Sequence, residues 1–107
     1  DLKFRFGGEE FIILMRGVDE EKAVMLLERI RANVESRTFP IVGKITVSAG
    51  VAGIHPEEHS TITIDRADRA LYFAKNHGRN RVCSYEDLVK KQLIQPVVIT
   101  SPQVIIF

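Results

Sequence analysis

At 107 residues the chain has room for one domain, with a core toward the small end of what folds alone. Apolar residues make up 45% and charged residues 27%, ordinary for a soluble globular chain, and a net charge of +1 gives no electrostatic case for nucleic acid or a membrane surface. A single cysteine, Cys83, excludes an internal disulfide; its setting offers no partner for metal or nucleophilic chemistry, so it reads as a small semi-buried residue, compatible with a reducing compartment. No apolar run is long enough to span a bilayer and no signal peptide is present, so no membrane contact is expected of this segment. The chain opens on Asp1 and enters strand-like sequence at once, as expected of a piece of a longer protein.

Leu2 to Phe6 and Phe11 to Met15 read as two strands, with Phe4, Phe6, Phe11, Ile13 and Met15 at strand period. Ile12 and Leu14 are apolar too, so the second strand is expected to be covered on both faces. Between them, Gly7-Gly8 is a hairpin signal, because tight primed turns need positive φ, which glycine adopts at little steric cost. Glu9 and Glu10 then place two carboxylates where the chain re-enters an apolar strand. Charge there is costly to desolvate unless paired, and a hard divalent cation with phosphate oxygens would relieve the repulsion between them.

Asp19 is a good N-cap, with Glu20 and Glu21 in the first turn where the helix dipole favours them. Ala23, Leu26, Leu27, Ile30 and Val34 form one apolar stripe of the helix that follows, while Glu28, Arg29, Arg31 and Glu35 read as a solvated face without chemistry. Ser36 to Gly43, with Phe39-Pro40, is a connection. Lys44 to Ala52 alternates as a strand: Ile45, Val47, Ala49 and Val51 on one face, Thr46, Ser48 and Gly50 on the other, where the small residues suggest a closely packed helix.

The His55, Glu57, Glu58, His59 stretch lacks the spacing of a metal site and reads as a surface loop. Thr61 or Thr63 is expected to cap a second helix that carries Ile64, Ala67, Leu71 and Ala74 inward and stops at Gly78. Tyr72 and Phe73 are expected to pack, and Asp65 and Asp68 to pair with neighbouring arginines. Lys75 and Arg79, four apart near the helix end, can point into the same space. Arg81 to Tyr85 reads as a closing strand, Tyr85 to Gln92 as a short helix, and Leu93 to Phe107 as a tail with two strand-like apolar runs between prolines.

The run Arg5-Phe6-Gly7-Gly8-Glu9-Glu10-Phe11 resembles the signature turn of the GGDEF family, the diguanylate cyclases, in its GGEEF spelling. The segment from Ala67 through Asp68, Tyr72, Lys75 and Gly78 to Val82 resembles the other hallmark block of that family. Two motifs in the right order make chance agreement unlikely to the point of neglect. The resemblance runs from Asp1 to about Leu93.

That resemblance implies an α+β fold: a nucleotidyl-cyclase or ferredoxin-like palm, with an antiparallel sheet flanked by helices. Residues 1–93 would be the C-terminal portion of the domain and 94–107 a tail or linker, with one helix and the middle strand of the sheet lying upstream of Asp1. It implies condensation of two GTP into cyclic di-GMP with release of pyrophosphate, by a homodimer in which a second GGDEF domain presents the other GTP. The setting would be bacterial signalling in the cytoplasm, under an upstream sensory or receiver domain, in a parent that membrane segments further upstream can anchor. Glu9 would be the catalytic residue and a ligand of Mg2+ or Mn2+, and Glu10 a second metal or substrate contact. Gly7 and Gly8 would let backbone approach the nucleotide. Lys75 and Arg79 would hold its phosphates. Asp1 stands where the family has the aspartate of an RxxD product-inhibition site, six residues before the first glycine. The family's upstream metal aspartate and its guanine-reading residues match no position here, so residues 1–107 alone are expected to be inactive and poorly folded as a monomer. The alternative is a non-catalytic GGDEF domain that binds GTP or cyclic di-GMP as a regulatory module. A cyclase making a mixed guanine–adenine dinucleotide is a further variant.

Overall fold

A computed structural model describes residues 2–6, 10–14 and 19–96. In chain order these form strand β1 (Leu2–Phe6), strand β2 (Glu10–Leu14), helix α1 (Glu20–Ser36), strand β3 (Ala49–Val51), helix α2 (Ser60–Asn76), strand β4 (Val82–Ser84) and helix α3 (Tyr85–Lys90).

β1 and β2 pair antiparallel as the glycine-centred reading predicts. The register sets Leu2 against Leu14 and closes on Phe6 against Glu10, so three residues connect the strands rather than the two of a primed turn. A single antiparallel sheet is not what the described strands form. They make two separate two-stranded sheets, and in the second β3 and β4 run parallel, with Ala49 against Val82 and Val51 against Ser84. The reason is connectivity: α2 carries the chain back across the sheet before β4 begins, and a strand reached by a helical crossover enters in the same direction as the one that left. The strand expected over residues 44–52 is short for the same reason. Only Ala49–Val51 meets β4.

α1 starts as its sequence dictates, with the Asp19 carboxylate accepting from the Lys22 amide at 2.8 Å. Its stripe is covered unevenly. Ala23 is buried, yet Leu26 and Ile30 stay 42% and 45% exposed, and Ile45 and Val47 ahead of β3 stay 40% and 37% exposed. α2 is capped by His59 and not by Thr61 or Thr63: the imidazole Nδ1 accepts from the Thr61 amide at 3.2 Å, and Thr63 is instead buried one turn further in. Ala70 and Ala74 are fully buried and form the core with Cys83, Tyr85 and Leu88. Phe73 and Ile94 pack against that cluster, so the expected tail begins in contact with the domain; residues 97–107 lie outside the described residues. Tyr72 does not pack as expected and is 70% exposed. Burial pushes the Cys83 thiol up, away from the reactive thiolate.

Small residues at the α2–β3 contact decide how close the two elements come. A Cβ on Gly50 would stand 2.1 Å from the Ala67 carbonyl oxygen and 2.4 Å from the Leu71 amide nitrogen. Both neighbours are helix backbone and cannot step aside. Gly50→Ala is therefore expected to destabilise the domain by about 3 kcal/mol, read as a lower denaturant midpoint at unchanged slope; an unchanged midpoint would contradict this packing.

The first turn of α1 is tied to the far side of the sheet. The Ser84 hydroxyl donates to Glu20 Oε1 while capping α3 at the Asp87 amide, and Glu86 Oε1 accepts from Gly53 N–H at 2.8 Å. Glu20 is pushed up to about 7 by burial first and then by the adjacent Glu86, with Asp87 and Glu21 adding repulsion. The folded chain thus holds this proton more tightly than the unfolded chain, whose glutamate titrates near 4.5. Stability from this group is full below pH 4.5 and is lost as pH rises through about 7. A pH series of melting temperatures is expected to fall across that window in the wild type and to lose this component in Glu20→Gln.

Candidate functional site

The residues singled out by sequence fall into two groups. Asp1, Gly7, Gly8 and Glu9 lie outside the described residues. Glu10 opens β2, paired with Phe6 at the closing end of the hairpin. Of the two carboxylates, only Glu10 is therefore placed, at the first position of β2.

The second group is the C-terminal end of α2. Lys75 stands in its last turn, half-buried. Arg79 is not in that helix. α2 ends at Asn76 with His77 as C-cap, and Gly78 takes φ +106° as the left-handed residue beyond the cap. The Arg79 amide then donates to the Ala74 carbonyl at 2.9 Å, the long bond of a Schellman turn. Spacing of four along a helix therefore does not relate Lys75 to Arg79; a backbone reversal does.

That reversal continues past the glycine. Arg79 has φ +57° and Asn80 φ +48°, both left-handed and neither a glycine. Each such residue costs roughly 1–2 kcal/mol unless local bonds compensate, less for asparagine. Bonds are present. Asn80 N–H donates to the Ser48 hydroxyl at 2.9 Å, and its side-chain oxygen accepts from Arg31 Nη1 at 2.8 Å. Its amide nitrogen donates to Glu35 Oε2. Arg81 Nη1 caps the helix end at the His77 carbonyl, and the Phe73 and His77 rings stack at 3.8 Å. Arg79 itself is exposed.

Arg31 and Glu35 correct the reading of α1's polar face as plain solvation. The Arg31 side chain is only 16% exposed and holds Glu28 and Glu35 of its own helix besides Asn80. Ion pairing, above all with Glu28, holds Arg31 higher and Glu28 lower than their ordinary values. Spacing gave no hint of a contact 49 residues away in sequence. The one available signal was asparagine after Gly-Arg, since asparagine tolerates the left-handed region better than most residues.

Two further acidic side chains form ion pairs. Glu58 pairs with Arg66 at 3.0 Å and Asp65 with Arg69 at 2.9 Å. Among the described residues no cluster of three or more His, Cys, Asp or Glu side chains is arranged to hold a metal, and no helix is long and apolar enough to cross a membrane.

The match to known proteins covers both groups. Residues 1–81 match the family described as diguanylate cyclase, GGDEF domain. The chain is 40% identical over 86 residues to diguanylate cyclase A of Treponema denticola, which covers 77% of this chain and 23% of that protein. It is 44% identical over 82 residues to diguanylate cyclase DgcM of Escherichia coli, covering 77% of this chain and 20% of that one. Among solved structures, the GGDEF domain of DgcB from Caulobacter crescentus, determined in complex with c-di-GMP, aligns with a TM-score of 0.74 at 39% identity, over 78% of this chain and 53% of that chain. The active GGEEF domain of a diguanylate cyclase from Vibrio cholerae aligns at 0.71 and 40% identity, over 79% and 57%. A turn spelled Gly-Gly-Glu-Glu-Phe, a helix ending in a left-handed Gly-Arg-Asn turn and a family match over three quarters of its length place this chain in the GGDEF family. It spans about a fifth of the length of those curated relatives.

Gly78→Ala tests the geometry of the turn. A Cβ there meets no atom within 4 Å, so the whole effect comes from φ +106°. The variant is expected to lose about 1 kcal/mol of stability. A midpoint unchanged or raised would mean the helix does not end in this turn.

Proposed function

We propose that this chain is the C-terminal portion of a GGDEF domain in a longer protein that condenses two GTP molecules into cyclic di-GMP. The GGEEF turn carries this reading: it keeps the spelling of the active domain from Vibrio cholerae within a match that runs from residue 1 to 81. Each 3′-hydroxyl forms a bond to the α-phosphorus of the other GTP, each α–β phosphoanhydride breaks, and two pyrophosphates leave. Such phosphoryl chemistry asks the protein mainly for positioning and charge stabilisation.

In this account Glu9 and Glu10 supply hard oxygen donors suited to Mg2+ or Mn2+, and such a cation would neutralise phosphate charge and favour loss of the 3′-hydroxyl proton. Glu9 is the residue on which turnover depends. Gly7 and Gly8 leave room for the nucleotide against the backbone, while Lys75 and Arg79 hold phosphates from the end of α2. Two GTP-loaded domains must face each other, so activity requires a homodimer, governed by an upstream sensory or receiver domain in a cytoplasmic setting. Asp1 belongs to a product-binding inhibitory site, a reading supported by its place six residues before the first glycine of the GGEEF turn.

The same proposal accounts for the two small sheets. Residues 1–93 contribute the hairpin and the β3–β4 pair, and the palm becomes one antiparallel-centred sheet when a middle strand from outside residues 1–107 enters between them. The exposed Leu26, Ile30, Ile45 and Val47 support this, as apolar side chains without cover. Residues 94–107 are a tail or linker beyond the domain.

The test is GTP turnover with Mg2+ by the full-length protein, product identified by mass, beside Glu9→Ala. Cyclic di-GMP formation that drops at least about a thousandfold in the variant is expected for loss of a metal-binding catalytic carboxylate. GTP or cyclic di-GMP binding without product in the wild type would instead make the domain a regulatory binder.

A further inference from the structure

We propose that Asn80 is a positioning residue: clamped by Arg31 and Glu35 of α1 and by Ser48 ahead of β3, it fixes where Arg79 meets the phosphates of a bound nucleotide. This rests on the reading of Arg79 as a phosphate ligand.

Arg79 is exposed and lies beyond the end of α2, so helix geometry does not aim it. Its direction comes from three successive left-handed residues, Gly78, Arg79 and Asn80. Glycine adopts such a conformation freely, arginine does not, and a run of this kind stays in place only where neighbouring groups determine it. On the helix side the Arg79 amide is held by the Ala74 carbonyl. On the other side Arg81 is held at its carbonyl by the Ala49 amide and reaches back to the His77 carbonyl, while Asn80, next to Arg79, is fixed by partners to its backbone N–H, side-chain oxygen and side-chain amide. Two of those partners come from α1 and one from the segment leading into β3. Three partners from two distant parts of the chain thus converge on the residue that follows the cation.

The partners are themselves fixed. Arg31 holds Glu28 through Nε at 2.8 Å, leaving its Nη1 to divide between Glu35 and Asn80. Glu35 receives the Asn80 amide on one oxygen and Arg31 on the other. A planar guanidinium suits such a fork; an ammonium offers no fixed fork geometry. A purely structural contact would explain a loss of stability on mutation. It would not explain a rise in KM that disappears once Arg79 is removed.

The experiment is a double-mutant cycle on the full-length protein with GTP and Mg2+, using Arg79→Ala, Asn80→Gly and the pair. Glycine at position 80 keeps access to the left-handed region, so the change reports the side-chain bonds. Asn80→Gly is expected to raise the KM for GTP about tenfold with a smaller effect on kcat, and to add nothing to the rise caused by Arg79→Ala alone. If Asn80→Gly does not fold, Arg31→Lys substitutes for it, and its charge is expected not to rescue the KM. Arg79→Ala raising KM while Asn80→Gly leaves it unchanged would overturn the inference, as would effects that multiply in the double variant. An unchanged KM in Arg79→Ala would instead overturn the phosphate reading beneath it.

Discussion

The contact on which this domain's arrangement depends is the one where Gly50 meets the backbone of α2. With no side chain on the strand, the Ala67 carbonyl and Leu71 amide come within distances that a Cβ would forbid. That approach sets β3 hard against the helix, and α2 then returns the chain so that β4 must lie parallel to β3. Parallel strands start at the same end of their sheet. Ser48, just ahead of β3, and Asn80, just ahead of β4, are therefore neighbours although 32 residues apart, and their hydrogen bond follows from the topology. The left-handed turn that carries Arg79 is in this sense a product of the packing made possible at Gly50.

Energetics on either side of that sheet differ. On the α3 side the core is small but closed, with Ala70 and Ala74 fully buried beside Cys83, Tyr85 and Leu88. On the α1 side, Leu26, Ile30, Ile45 and Val47 keep over a third of their surface in water. Fully burying such a side chain is worth about 1.5–3 kcal/mol, and an additional strand would gain the part of this that belongs to the surface still exposed. Acid groups impose a second asymmetry. Glu20 and Glu86 meet where α1, the end of β3 and the start of α3 converge, and the buried Oε2 of Glu86 has no partner among the described residues. Burial and the adjacent Glu86 charge favour the protonated form of Glu20 there, at the expense of pH sensitivity.

What the sequence revealed about the fold was mostly local. Asp19 as the cap of α1, the stop of α2 ahead of Gly78 and the small-residue face of Gly50 all follow from short-range rules, and the structure contains them. Pairing direction was not local: the β3–β4 ladder is set by a crossover that periodicity does not encode. His59 caps α2 in place of the expected threonines, with Thr63 buried one turn further in, and Tyr72 stays outside on a helix whose Ala70, Phe73 and Ala74 face the core. At the site, the two motifs were legible as a resemblance, and their membership in one family stands. Asn80, Arg31 and Glu35 were not legible, because an ion-paired helix face looks the same on paper whether or not a distant asparagine completes it.

The proposed function comes down to one claim: Glu9 and the left-handed turn after α2 serve the same nucleotide. The most direct measurement is a structure of the full-length protein with a non-hydrolysable GTP analogue and Mg2+. The account predicts phosphates within hydrogen-bond distance of Lys75 and Arg79, and the metal on the Glu9 carboxylate. A nucleotide bound elsewhere, with Arg79 and Glu9 both far from its phosphates, would contradict it.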